Sequence, residues 1–386
     1  MARRIKLGVI ADEFFDLGLG RMGGFGWAAR QLSRIFDADP ALGVDLVYLS
    51  SEMLATEEAS EIRVHGKRLL LRQKTRWKNA RAVRRERFDL LLTIDYNVAY
   101  TVYLRSLPRT PVIIWVRDPW SPDDVRKISS LRIPGAEAET PQGRHSYDGS
   151  SLAKIARESE WLGRKLQLAT PAPHLAGRLM PTYGIEPWGF YCLPNPILLD
   201  PGTCTKSERP TVVFLARLDP IKRPWLFAEL ARRFPEVDFL FLGQASFTGP
   251  GSWRPNDLPP NIRMLGHVDE AEKLRHLSSA WVAINTAIHE GLAVSFLEAL
   301  SCETPLLACQ NPGFVVSRHG IYTGRFDGSG MDGIDAFSSG LRALIDNREL
   351  RESLGRSGRA WVRSTHSRDR FLEAFAALCA RAGIAR

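Results

Sequence analysis

Cysteine is scarce in this 386-residue chain and poorly spaced for pairing. Five residues, Cys192, Cys204, Cys302, Cys309 and Cys379, are odd in number and contain no C-x-x-C pair. That argues against a disulfide framework and a zinc site and fits a reducing compartment. Long apolar runs are also missing. No stretch approaches the roughly 20 apolar residues of a membrane-spanning helix, so membrane contact is expected to be peripheral at most. The opening MARRIKLGVIADEFF has the basic head and short apolar run of a signal peptide, but acidic residues follow with no small-residue cleavage site, so it reads as a first strand. Positive charge is what the chain has in excess. A net charge of +9 points to phosphates, acidic lipid head groups or nucleic acid. Nucleic acid is set aside, because no base-stacking aromatic set or nucleic-acid motif accompanies the charge.

The length exceeds what one core ordinarily fills, so two domains are expected. Short apolar runs alternate with helix-period segments throughout, the pattern of parallel sheets. In the first half the expected strands are 5–11, 44–50, 89–94 and 111–116, with a helix starting near GGFGWAARQLSRIF and an irregular Gly- and Pro-rich excursion over 121–150. The stretch YCLPNPILLDPGTCTKSERP (191–210) holds four prolines and reads as a hinge. Beyond it the expected strands are 211–218, 237–243, 261–266, 281–286 and 305–309, with helices from about Pro224, over 270–280 and over 292–302. Asp269 and Glu272 form a capping-box pattern. Ligands of such sheets bind beyond the carboxyl ends of the strands, so chemistry is expected in a cleft between the two domains.

Three places at expected strand ends carry candidate chemistry. Gly23, Gly24 and Gly26 lie between the first strand and its helix, where glycines and free helix amides suit a phosphate, although the spacing is not GxGxxG and a plain turn explains it equally well. Arg217 and Lys222 flank an Asp219–Pro220 turn. Two cations there suit a diphosphate, or they are simply solvated. The third place is HEGLAVSFLEALSCETPLLAC (289–309), an apolar helix whose first amides, near Ala293, Val294 and Ser295, would face an anion. Glu290 precedes that helix, where its carboxylate could accept hydrogen bonds from sugar hydroxyls. Glu298 lies on the helix, and Ser295 with Glu298 also fits a capping box that needs no ligand.

These residues together carry a resemblance. An Arg and a Lys after the first strand of the second half, then a Glu, seven residues and another Glu, here Arg217, Lys222, Glu290 and Glu298, resemble the retaining GT-B glycosyltransferases of family four (glycosyl transferases group 1). LPNPI (193–197), FLFLG (239–243), IRMLGHV (262–268) and GGFGWAARQL (23–32) support it. The resemblance implies an α/β chain of two Rossmann-like doubly wound domains facing across a cleft. It implies an acceptor-binding domain over 1–198, a donor-binding domain over 199–365 and a C-terminal helix over 366–386 crossing back to the first. It further implies that Arg217 and Lys222 bind the diphosphate of a UDP- or GDP-sugar, helped by Gly23, Gly24, Val294 and Ser295. Glu290 would hold the donor sugar, Glu298 the ribose, and backbone around Leu265, His267 and Val268 the base. The activity implied is a hexosyltransferase type acting on a glycan or lipid-linked acceptor, with no cofactor and no divalent metal, since cations and helix dipole fill that role.

This chain departs from the family at three positions. Ala293 and Glu303 replace glycines, which would alter phosphate approach, and Arg117 followed by Asp118 stands where a His is common. An Arg is no general base at neutral pH, so Arg117 is expected to contact phosphate or acceptor. Asp118 is an acceptor-hydroxyl candidate or a turn residue before Pro119. His289 neighbours Glu290 and either lines the site or, as the simpler reading, is a surface histidine. In the basic stretch 67–88, helical from about Thr75, Trp77, Ala80 and Val83 would share one face among cations, suiting either an anionic membrane or a core stripe. A cytoplasmic location is expected, with the inner membrane face as a peripheral alternative. A sugar-nucleotide epimerase on the same architecture and a non-catalytic polyanion-binding protein are the competing readings.

Overall fold

The Val-, Ile- and Leu-rich runs form two largely parallel sheets in a computed structural model that describes residues 4–14, 23–56, 59–141, 150–186, 190–255 and 257–384. They belong to two units, one of Met1–Ser121, Tyr147–Pro196 and Ser367–Arg386, the other of Pro122–Ser146 and Ile197–His366.

The first unit contains β1 (Ile5–Ala11), β2 (Val44–Leu54), β3 (Glu61–Val64), β4 (Lys67–Arg72), β5 (Leu90–Ile94), β6 (Val112–Trp115), β7 (Leu166–Thr170) and β8 (Tyr191–Cys192) in the order β3-β4-β2-β1-β5-β6-β7-β8. Every neighbouring pair is parallel except β3 and β4. Those two form a hairpin whose turn residues, His65 and Gly66, both have positive φ, 45° and 81°. The basic stretch therefore divides into β4 and a helix over Arg76–Glu86. That helix buries Asn79 and Val83, one turn apart, while Trp77 is 62% exposed. The expected shared face fails because Trp77 and Val83, six residues apart, point about 120° away from each other around a helix. The C-terminal helix Arg368–Arg381 packs in this unit, with Phe371 5.9 Å from the Trp115 ring and Phe375 5.6 Å from Phe36.

The second unit contains β9 (Thr211–Leu215), β10 (Asp238–Leu242), β11 (Ile262–Gly266), β12 (Val282–Asn285), β13 (Leu306–Ala308) and β14 (Gly320–Tyr322), all parallel, in the order β11-β10-β9-β12-β13-β14. This is the doubly wound order 3-2-1-4-5-6, and its reversal lies between β9 and β12. Phe214, Phe227, Phe239 and Phe241 fill one side of the sheet, with Phe227 and Phe241 rings 4.7 Å apart.

The segment expected as an irregular excursion begins instead with a helix, Pro122–Ser129, and belongs to the second unit; residues 142–149 lie outside those described. Its charge order explains the helix. Pro122 opens it, Asp123 and Asp124 occupy the first turn and Arg126 and Lys127 the last, which complements the helix dipole.

Candidate functional site

In an open parallel sheet the crevice forms where strand order reverses, at the carboxyl ends of the two central strands. In the second unit those are β9 and β12, and a set of hydrogen bonds fastens the loops that follow them. Arg223, fully buried with φ 47°, donates through Nε to the Thr286 carbonyl at 2.7 Å and through Nη1 to the Phe326 carbonyl at 2.8 Å. The Thr286 hydroxyl donates to the Lys222 carbonyl at 2.7 Å, and the Ile288 amide to the Ile221 carbonyl at 3.0 Å. Lys222 and Glu290, 68 positions apart, are thereby brought together, with Nζ 2.7 Å from Oε1. Asn285, the last residue of β12, donates its Nδ2 to the same carboxylate oxygen at 2.9 Å and accepts from the Ala287 amide at 3.0 Å. Glu290 is 8% exposed, so it is held by two donors in a largely dry setting.

Arg217 lies on the same loop, its Nε 3.5 Å from Asp219 Oδ2. Asp219 is fixed in turn by the Ser246 amide and hydroxyl, at 2.9 and 2.7 Å. The loop can leave the sheet there because β10 is followed by Gly243, with φ 140°: a Cβ at this position would come within 2.0 Å of the Ala216 carbonyl oxygen.

Glu298 lies in the helix Val294–Ser301 and is 4% exposed. The capping box expected of Ser295 and Glu298 is not formed. Ala293 is the N-cap and Ser295 is already inside the first turn, where its backbone is helical and its side chain cannot cap; Glu298 pairs instead with Lys273, 2.5 Å away on the helix Glu270–Ser279. That second helix is capped as its sequence indicates, Asp269 accepting from the Glu272 amide at 2.8 Å. The amides of Val294 and Ser295 open the 294–301 helix. Leu265 and Val268 line a cavity of about 370 Å³ together with Arg263, Arg275 and buried His276, whereas His267 is exposed and outside it.

Two of the departures have local explanations. Glu303 has φ 53°, the left-handed conformation that follows a helix end and that glycine adopts without strain, and its carboxylate accepts from Arg359 at 3.0 Å. Ala293 has φ −59°, which any residue adopts. His289 is not on the surface. It is 2% exposed, and its Nδ1 lies 3.1 Å from Asp124 Oδ1, which also pairs with Lys127 at 3.0 Å.

Gly23, Gly24, Arg117 and Asp118 belong to the first unit. Gly23 caps the helix Gly24–Ala38, but its amide donates to the Glu13 carboxylate at 2.9 Å, and the Gly26 amide donates to the same oxygen at 3.2 Å. The chain's own carboxylate occupies the place considered for a phosphate. Arg117, 6% exposed, stacks 4.4 Å over the Trp115 ring and places Nη2 3.4 Å from the Gly24 carbonyl, while its Nε and Nη1 have no hydrogen-bond partner. Burial lowers its pKa to about 10 against the opposing pull of Asp95, Glu13 and Asp118, so it stays charged at neutral pH. Asp118 accepts from the Trp120 indole at 3.0 Å. Asp12, just past β1, has its pKa raised to about 6, chiefly by burial and then by Glu13 and Glu52.

Sequence reasoning missed Asp12, Glu13, Asp124, Asp219, Lys273 and Asn285. For Asp12, Asp219 and Asn285 the signal was available, since each lies at or just past the carboxyl end of a central strand.

Residues 202–361 match the family model described as glycosyl transferases group 1. A D-inositol 3-phosphate glycosyltransferase of Kineococcus radiotolerans is 28% identical over 172 residues, which is 39% of this chain and only 39% of that relative's length. The whole chain has the GT-B fold. Sucrose-phosphate synthase from Thermosynechococcus elongatus superposes with a TM-score of 0.68 at 14% identity, covering 98% of this chain and 99% of the other. Anabaena HepE, in complex with UDP-glucose, gives 0.67 at 12% identity over 98% and 100%. Within the matched residues 202–361 lie Arg217, Lys222, Glu290 and Glu298, the four residues on which the sequence resemblance rested.

Proposed function

We propose that this protein transfers a hexose from a nucleotide diphosphate sugar to a hydroxyl of a glycan or lipid-linked acceptor, with retention at the anomeric carbon. The observation that carries the reading is the contact of Lys222 with Glu290 at the reversal between β9 and β12, with Arg217 on the same loop. In this reading Arg217, Lys222 and the amides of Val294 and Ser295 bind the diphosphate. The bond from the anomeric carbon to the diphosphate breaks with its electrons on the phosphate oxygen, where the two cations neutralise them, while the acceptor hydroxyl forms the new bond on the same face and gives its proton to the released diphosphate. Glu290 accepts from hydroxyls of the sugar, Glu298 from those of the ribose, and the loop at Leu265, His267 and Val268 meets the base. Arg117 and Asp118 are assigned to the acceptor. Because cations supply the charge neutralisation, no divalent metal is needed, and a chelator should leave the rate unchanged.

HepE's complex with UDP-glucose supports UDP as the first donor base to try, with GDP as the alternative. An anionic membrane surface is a further partner in this reading, supported by exposed Trp77 amid Lys74, Arg76, Lys78, Arg81 and Arg85. The test is thermal unfolding with UDP, GDP and ADP on the wild type and Arg217→Ala. A nucleotide at 100 times its Kd stabilises by about 2.7 kcal/mol, a shift of several degrees. One nucleotide should raise the wild-type Tm and not that of the variant; equal shifts in both would remove Arg217 from the site, and no shift in either would remove the donor reading.

A further inference from the structure

The Asp124–His289–Lys127 cluster lies directly behind the candidate sugar-binding glutamate. We propose that Asp124 and His289 are a positioning pair that fixes Glu290 for the donor sugar, an inference that rests on the glycosyltransferase reading. Asp124 and His289 are each 2% exposed and Lys127 is 7% exposed. Three buried ionisable groups cost desolvation that apolar side chains of similar volume would avoid, so packing alone explains them poorly. Lys127 neutralises Asp124 at 3.0 Å, and the carboxylate, which can only accept, accepts a hydrogen bond from the Nδ1–H of His289 at 3.1 Å.

The helix that supplies Asp124 is itself fastened within the second unit. Asp123 pairs with Arg325 at 2.8 Å, the Ser130 hydroxyl accepts from the Gly328 amide at 3.0 Å, and Glu139 accepts from the Gly251 amide at 2.5 Å. His289 shares a rigid peptide plane with Glu290. Its neighbour on the other side, Ile288, is tied through its amide to Ile221. Holding the imidazole therefore fixes the backbone on both sides of His289, and with it the direction in which the Glu290 side chain leaves toward Lys222 and Asn285. The helix Pro122–Ser129 thus acts on Glu290 through His289, with none of its own side chains assigned to the sugar.

The experiment separates the sugar's share of binding from the nucleotide's. Calorimetry gives Kd for UDP and UDP-glucose, or for GDP and GDP-mannose if GDP is the nucleotide that stabilises the wild type, and Glu290→Ala serves as the reference. Asp124→Asn and His289→Ala should weaken the nucleotide sugar by about tenfold, the effect of one misplaced hydrogen-bonding group, and leave the nucleoside diphosphate within about twofold. His289→Asn, whose amide can still donate to Asp124, should recover most of the loss. Unchanged binding of the sugar nucleotide, or an equal loss for both ligands in all three variants, overturns the positioning role. Retained nucleoside diphosphate binding also reports that each variant has folded. If neither nucleotide binds the wild type, the glycosyltransferase reading itself falls, an outcome distinct from a wild type that binds and variants that do not differ from it.

Discussion

Between β9 and β12 the reversal of strand order brings a lysine and an asparagine onto one oxygen of a glutamate, and Arg217 leaves the β9 end. Between β1 and β5 the first sheet reverses in the same way, and there the chain places Asp12, Glu13 and Asp95. In one unit a cation and a carboxylate hold each other in hydrogen-bonding geometry. In the other, carboxylates crowd together, one of them fills a helix N-terminus, and the guanidinium of Arg117 keeps two nitrogens unpartnered. The difference teaches that the fold supplies a location and the residues supply the chemistry.

The sharpest way to break this comparison is to remove the pair in the second unit. Glu290→Ala and Lys222→Ala should each lower sugar transfer by about 100- to 1000-fold, the usual loss for one well-placed transition-state contact, and Lys222→Ala, which takes the cation from a buried carboxylate, should lower the Tm as well. Initial rates at saturating donor measure it, and a near-normal rate from either variant would end the assignment of that residue.

Asp12→Asn tests the opposite character of the first unit. Folding raises the pKa of Asp12 from 3.8 to about 6, so the folded chain binds the proton more tightly than the unfolded one. That contribution is complete below about pH 4 and is lost as pH rises through 6. The variant should therefore be more stable than wild type by about 1–3 kcal/mol at pH 8 and by almost nothing at pH 4, as read by denaturant unfolding at both. A difference independent of pH would mean that folding, through burial and the neighbouring carboxylates, does not raise the Asp12 pKa.

Glu13→Ala strips the carboxylate from the amides of Gly23 and Gly26 and should cost about 1 kcal/mol, with Glu13→Gln losing less because its amide oxygen still accepts. The smallest effect is expected at Arg117. Replacing it with Met removes a buried cation and its unpartnered donors, so stability should change by less than about 1 kcal/mol in either direction. If transfer falls while stability holds, Arg117 serves the acceptor; a large loss of stability would show that its guanidinium is a structural tie.

Much of the second unit was legible because its signals are local. β9 to β13 are continuous apolar runs bounded by turn residues, and each falls within two or three residues of its expected span. β14 was not read, since Gly320–Tyr322 is three residues long and begins with a glycine. β3 and β4 are not among the expected strands, since Glu61–Val64 is only four residues long and β4 lies inside the basic stretch 67–88; the His65–Gly66 turn marks the hairpin. The candidate site divides along the same line. Glu290, Lys222 and Arg217 stand at strand ends, where a sheet protein puts its chemistry. Asp124 stands 165 positions from His289, in a segment whose polarity looked like a loop, and no local pattern links the two.

By itself the sequence determined the alternation of strands and helices and the positions of the cations and glutamates at strand ends, because period, turn residues and capping patterns act over a few residues. Only the tertiary structure decided which of these groups meet. It placed Glu13 on the glycines ten residues later, turned Glu298 to Lys273 and buried His289 against Asp124. The reason is physical: a buried charge must find a partner, and across a folded sheet that partner is chosen by strand order and loop anchoring, which bring together residues that sequence spacing keeps apart.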